Sequence, residues 1–206
     1  MSFLKYGGFS SFSPLQETMC HTPPKWRQNN SANTNYTHNV HRIATDLCSQ
    51  IDADVIRVEP AEKGLKYEAN NYAIGSAQIA AIRNHPDDAS SYPAIDPVDV
   101  KMSEYDMVIV AAPLWWSQMA APLQSFLFQY GKQMAGKKIG LIVSSASSGI
   151  NGVAEDAKRL IPEGDFLSSN LWIRSSQTSS CHSLTEKWLR DIDYKNIASG
   201  IVEATN

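Results

Sequence analysis

The stretch YDMVIVAAPLWWSQMAAP, Tyr105 to Pro122, decides how this chain folds. Its centre, MVIVAA, is apolar without alternation, as a strand buried on both faces of a parallel sheet requires. Pro113 interrupts the run, two adjacent tryptophans follow, and Pro122 stands in the first turn of an amphipathic segment. Ligands of open parallel sheets bind beyond the carboxyl ends of the strands. Trp115 and Trp116 therefore fall on a loop that would receive a flat ligand.

Helix and strand alternate on either side of this stretch. Thr37 caps a helix whose Val40, Ile43, Ala44 and Leu47 follow helical spacing, and ADVIRVEP (53–60) is a short strand. A long connection, 61–98, has a helical middle at 71–82 and a turn-rich end, HPDDASSYPAIDP. The strand 106–112 feeds a helix from about Ala121 that buries Leu123, Phe126, Leu127 and Tyr130. IGLIVSSA (139–146) is a further buried strand. The helix after it turns Val153, Ala157, Leu160 and Ile161 inward and stops at Pro162 and Gly164. A strand at 166–174 and a helix carrying Leu184, Trp188, Leu189 and Ile192 complete the pattern. Such alternation implies an α/β fold, a parallel sheet with helices on both faces. Right-handed crossovers bring the loops 32–37, 113–118 and 144–152 to one edge.

The 206 residues suit one domain, divided into an atypical segment at 1–30, read as disordered or altered, the folded unit at 31–194 and a tail at 195–206. A net charge of -3 and a pI near 5.9 argue against nucleic acid as a partner. The longest apolar run, Met107 to Trp116, is too short to span a bilayer, and the first residues lack the apolar region of a signal peptide. Cys20, Cys48 and Cys181 are odd in number and far apart, which points to a reducing cytoplasm.

Each loop has a chemical and a plainer reading. Asn33, Thr34, Asn35, Tyr36 and Thr37 precede a helix, where free N–H groups, hydroxyls and the helix dipole suit a phosphate; ordinary capping by Thr37 is the alternative. In the second loop, Pro113, Leu114, Trp115, Trp116 and Ser117 could clamp an aromatic ring. Alternatively Trp116 packs under the following helix and Trp115 alone faces out. In the third, Ser145, Ala146, Ser147, Ser148 and Gly149 let backbone groups approach a heterocycle, with Gly149 and Gly152 free to take unusual dihedrals; a plain connection is the alternative.

Pro113, Leu114, Trp115, Trp116, Ser117, Met119 and Pro122 match the P-[IL]-W-W-[GS]-x-M-x-x-P segment of flavodoxin-like proteins. Ser144 to Gly149 match that family's small-residue loop more loosely. Over about residues 32–193 the chain resembles this family, in its bacterial branch with a PIWW-type loop. The resemblance implies a three-layer sandwich on a five-stranded parallel sheet of order 2-1-3-4-5. It also implies FMN as cofactor: phosphate on Asn33 to Thr37, the ring flanked by Leu114, Trp115 and Trp116, and the 144–149 loop on its pyrimidine side. The implied role is electron transfer to a redox partner protein or a small acceptor, as a carrier or as an NAD(P)H or quinone oxidoreductase. A cofactor-free remnant acting as a binding module is the alternative.

Two departures bear on this. Ala32, Asn35 and Tyr36 stand where the family favours Ser or Thr, Gly, and Asn. PKWRQNN, polar and opened by proline, occupies the place of the central first strand. Either SFLKYGGFSSFS (2–13) supplies that strand before a long loop, or the N-terminal sequence has been altered, as by a shifted reading frame. The second reading carries an expectation of weak FMN binding or poor folding. Elsewhere, His38 and His41 read as surface residues without metal partners, and Cys181-His182 lacks the usual arrangement of a nucleophile and its base.

Overall fold

A computed structural model describes residues 2–6, 37–62, 72–146 and 148–199. The sheet has the order β2 (Asp54–Arg57), β1 (Ser2–Tyr6), β3 (Met107–Trp115), β5 (Lys138–Ser145), with β6 (Asp165–Phe166) and β7 (Leu171–Arg174) both pairing with β5. A two-residue strand, β4 (Gln118–Met119), folds back on the end of β3. The helices are α1 (Thr37–Cys48), α2 (Tyr72–Asn84), α3 (Ala121–Tyr130), α4 (Asn151–Leu160), α5 (Cys181–Asp191) and α6 (Tyr194–Ser199).

β3 explains the layering. Alternate side chains of a strand point to opposite faces. Val108, Val110 and Ala112 join a core with Leu123, Phe126 and Leu127 of α3 and Val153, Ala157 and Leu160 of α4. Met107, Ile109 and Ala111 join a second core with Val40, Ile43, Ala44 and Leu47 of α1 and Trp188 of α5. The helical faces expected from the sequence are the faces that are buried, save that Tyr130, Leu184 and Leu189 are half-buried.

Three features differ from expectation. The sheet is mostly parallel, but β1 runs antiparallel to both neighbours, pairing Ser2 with Arg57 and Ala111, and Lys5 with Asp54 and Val108. Residues 2–6 thus supply the strand between β2 and β3, in the opposite sense. Secondly, the strand at 166–174 is two strands. From Ile139 to Ile142 β5 advances three residues while its partners advance five, Phe166 to Leu171. Ser168, Ser169 and Asn170 favour local turns over ladders, and the Trp188 indole N–H donates to the Ser169 carbonyl at 2.9 Å. Thirdly, Lys195 to Ser199, the start of the stretch read as a tail, belong to a helix that begins at Tyr194.

The long connection after β2 is stitched back to that strand. Ala61 N–H donates to the Ala94 carbonyl and Asp96 N–H to the Glu59 carbonyl, at 3.0 and 2.9 Å. α2 is thereby held beside α3, where Ile79, Ile82 and Ala121 form a small third core that Trp115 and Tyr92 pack against. Among the described residues, no helix is long and apolar enough to cross a membrane.

Candidate functional site

β2, β3, β5, β6 and β7 point the same way, so their carboxyl ends share one rim. There Pro113 lies beside Ser144, and Ser145 beside Arg174. The 113–118 and 144–150 segments are therefore neighbours, with the 3-10 turn Ser175–Ser180 beyond them and α1 packed against that turn. Asn33, Thr34, Asn35, Tyr36 and Ser147 lie outside the described residues, and Thr37 is the first residue of α1.

The tryptophan segment is a hairpin, not an open loop. β3 continues through Pro113 and Leu114 to Trp115, and the chain reverses so that Trp115 faces Gln118 and Leu114 faces Met119. The two turn residues, Trp116 and Ser117, have φ of 46° and 66°. Positive φ at both central positions makes a two-residue turn whose twist suits a hairpin, though neither residue is one usually found there. The tryptophans divide opposite to the plainer expectation. Trp115 is half-buried against the cores of α2 and α3, while Trp116 is 42% exposed. Their rings meet edge to face, with centroids 6.4 Å apart at 81°.

Two helices grip this hairpin. On α2, Gly75 lies under the Trp116 ring, and a Cβ there would stand 2.8 Å from it. Arg83, two turns on, donates from Nε and Nη2 to the Gln118 side-chain oxygen at 3.1 and 2.8 Å. On α4, a Cβ on Gly152 would stand 2.0 Å from the Ser117 carbonyl oxygen, so only glycine permits this approach. Asp156, one helical turn further and buried, accepts from the Met119 N–H at 2.9 Å. The Met119 carbonyl accepts from the buried Gln124 amide at 2.7 Å. Arg159 closes the network, donating to Asp156 at 3.1 Å, to Gln124 at 2.8 Å and to the Tyr92 hydroxyl at 2.9 Å. Burial pushes the Asp156 carboxyl up from its ordinary range, against the lowering pull of the Met119 amide and Arg159.

The neighbouring turn is built otherwise. Ser144 and Ser145 are buried at the end of β5. The Ser145 hydroxyl donates to the Ser148 carbonyl at 2.9 Å and accepts from the Trp172 indole N–H at 2.8 Å. Ser175 donates to the Ser145 carbonyl at 3.2 Å, and the Arg174 guanidinium lies 4.6 Å from the Trp172 ring centre. Ser145 thus shapes the turn with its side chain. Ala146, Ser148 and Gly149 are exposed, and a Cβ on Gly149 would meet nothing within 4 Å. Neither Gly149 nor Gly152 adopts a positive φ.

Gly75, Arg83, Gln124, Asp156 and Arg159 are not singled out by the sequence as parts of this rim, and Gly152 is singled out for its dihedral freedom, not for the close approach to Ser117 that it permits. Asp156 carried a signal: it sits three residues after Val153 and four before Leu160, on the buried stripe of α4, where an acid needs a partner. The Cys181-His182 pair forms no unit. Burial pushes the Cys181 thiol up, and His182 turns its Nδ1 to Asp46 at 3.0 Å.

The family described as Flavodoxin matches residues 33–192. No curated protein sequence matches the chain. Among solved structures, a candidate flavoprotein from Bacteroides eggerthii DSM 20697 superposes with a TM-score of 0.60 at 20% identity, covering 77% of this chain and 93% of its own. A similar protein from Bacteroides uniformis ATCC 8492 gives 0.55 at 18% identity, covering 76% and 93%. A flavoprotein from Lactobacillus acidophilus NCFM, in complex with FMN, gives 0.51 at 15% identity, covering 72% and 93%. These likenesses are of fold. Together with the order of the strands, the tryptophan hairpin at their carboxyl rim and a family match over most of its length, they lead to one assignment: the chain belongs to the flavodoxin family.

Proposed function

We propose that this protein binds FMN at the carboxyl rim of its sheet and transfers electrons, as a carrier or as a small reductase. The carrying observation is the hairpin that exposes Trp116 at the rim where Pro113 adjoins Ser144, in a chain of the flavodoxin family. The residues present suit such a ligand. Trp115 and Trp116, with Leu114, Pro113 and Ser117, offer an apolar and aromatic wall, and stacking on an aromatic ring contributes about 0.5–1.5 kcal/mol beyond burial. The Ser145 side chain is committed to the shape of the 145–149 turn, through the Ser148 carbonyl and the Trp172 indole, and the exposed Ala146 and Gly149 offer main-chain groups to the edge of a heterocycle. Asn33, Thr34, Asn35, Tyr36 and Thr37 lead into α1, whose first turn has N–H groups for a phosphate. Hydrogen bonds to a charged group contribute about 1.5–3 kcal/mol each, enough for several to hold a phosphate without a lysine.

Bound FMN would supply the electron chemistry. The chain's part is to bind the phosphate, orient the ring and shield one side of it with indole. A redox protein or a small acceptor would meet the exposed side, and the widely spaced cysteines suit the cytoplasm as the place of action.

The test is the visible absorption spectrum of the purified protein before and after FMN is added. A flavin spectrum shifted on uptake, at one FMN per chain, is the expected result. Consumption of NAD(P)H with a quinone acceptor would then identify a reductase, and its absence with every acceptor a carrier. A second reading, a cofactor-free binding module, is favoured by the direction of β1. Tyr6 pairs with Met107, at the end of the sheet away from the rim, so β1 does not lead directly into the phosphate segment. A protein that stays colourless with excess FMN would decide for this second reading.

A further inference from the structure

The strongest unexplained chemistry is a carboxylate enclosed in the core face of α4. Asp156 is 4% exposed, and its two oxygens are both used: Oδ2 accepts from the Met119 N–H at 2.9 Å and Oδ1 from Arg159 at 3.1 Å. Burying a charge is costly unless it is paired and hydrogen-bonded. A buried apolar residue would fill the position on α4 without that cost, so its presence calls for a local reason. Met119 supplies one. It is the last residue of the hairpin, its side chain is buried, and it faces Leu114 across the ladder. Its N–H goes to Asp156 and its carbonyl to Gln124, and both of those side chains are bound by Arg159. Both main-chain polar groups of Met119 are thus held by one buried network from α3 and α4. The other end of the network is Tyr92, which donates to the Pro86 carbonyl at 2.6 Å and stacks on Phe128 at 4.2 Å.

We propose that Asp156, acting through the Met119 amide, is the positioning residue of the tryptophan hairpin, and that it thereby sets the aromatic wall of the FMN site. This rests on the flavin reading above. Asp156 does not touch the indoles. It fixes the strand that returns from them, three residues after Trp116, while Gly152 fixes the turn through the Ser117 carbonyl. Arg159 and Gln124 hold the carboxylate and the Met119 carbonyl in register.

The experiment uses the full chain, first as apoprotein and then with FMN as probe. Three quantities are read: the melting temperature, the circular-dichroism band from the coupled Trp115 and Trp116 indoles, and the FMN dissociation constant. Asp156→Ala should collapse the coupled band and weaken FMN by about tenfold or more, as loss of a buried charged acceptor implies. Asp156→Asn keeps an oxygen for the Met119 N–H and should restore the band and bring affinity to within about threefold of the parent. Ile192→Ala, in the other core beyond α5, should lower the melting temperature while leaving band and affinity unchanged. A folded Asp156→Ala protein with parental band and affinity would overturn the proposal, as would an Ile192→Ala protein that loses both equally. Should Asp156→Ala fail to fold, Arg159→Met decides: a weakened band at near-parental melting temperature supports the proposal, and an intact band overturns it. If the parent takes up no FMN, the flavin reading falls, and the apoprotein band alone decides the role of Asp156.

Discussion

The two faces of the sheet solve the same packing problem with different materials. On the α3–α4 face the buried core contains Gln124 and Asp156, each bonded to Met119 at the end of the hairpin and both bound by the exposed Arg159. On the α1–α5 face the polar cluster lies between helices. Asp46 of α1 accepts from Thr185 at 3.0 Å and Gln50 at 2.9 Å and meets His182, which is largely exposed. The first network serves a rim segment that cannot pack by itself, since a two-residue turn at positive φ has few apolar contacts of its own. The second joins two helices whose apolar stripes already hold them together. Buried side chains bonded to the hairpin backbone therefore mark the face that positions the site, whereas the buried Thr185 of the other face bonds between helices. The other face is held by burial, with Trp188 pressed against Gly140 in the middle of β5.

The sharpest way to break this comparison is a methyl group on each face. Gly152→Ala places a Cβ 2.0 Å from the Ser117 backbone oxygen, which cannot swing aside. It should cost about 1–3 kcal/mol or more and disturb the hairpin. Gly140→Ala meets side chains alone, the edge of the Trp188 ring at 3.0 Å and Ile109 Cγ1 at 3.4 Å, and should cost less. Denaturant unfolding of the two variants measures both; equal losses would mean that the faces do not differ in rigidity.

A smaller effect lies in pH. The folded Asp156 carboxyl sits above its ordinary value of 3.8 because burial penalises its charge. A raised acid contributes stability that is fully present below the unfolded pKa and is lost as pH rises through the folded pKa. The stability lead of the parent over Asp156→Asn should therefore be greatest near the acid end of this window and shrink as pH rises. Paired melting curves from pH 4 to 7 would show it, since the other carboxylates cancel in the difference. A lead that grows with pH contradicts the assignment of burial as the dominant cause.

The smallest effect is expected on the other face. His182→Ala removes an exposed partner of Asp46, while Thr185 and Gln50 remain. The loss should be at most about 1 kcal/mol, the usual range for an exposed ion pair. A loss approaching that of Gly152→Ala would show that the α1–α5 cluster carries more of the fold than its exposure implies.

Much of this is legible in the sequence. The unbroken apolar run at Met107 to Ala112 announces a strand buried on both sides, and the structure has its residues alternating between two cores. The stripes of α1, α3, α4 and α5 followed from helical spacing because the burial of a helix face is a local, periodic demand. The tryptophan pair was legible as a rim feature, but not as a hairpin. Trp116 and Ser117 are not the residues a two-residue hairpin turn favours, and the hairpin they form is held by Gly75, Arg83, Gly152 and Asp156 from two other helices. The break between β6 and β7 likewise depends on Trp188, distant in sequence, taking the Ser169 carbonyl.

The amino-acid order by itself determined the class of fold, the position of most elements and the rim to which the aromatic residues belong, because periodicity and strand composition are properties of short windows. Tertiary structure alone decided the sense in which Ser2–Tyr6 enters the sheet, which tryptophan faces outward, and which carboxylate is buried against the end of the hairpin. Those outcomes depend on partners from several separate elements meeting at one place, and the pairing of distant backbone groups leaves no periodic trace in the chain.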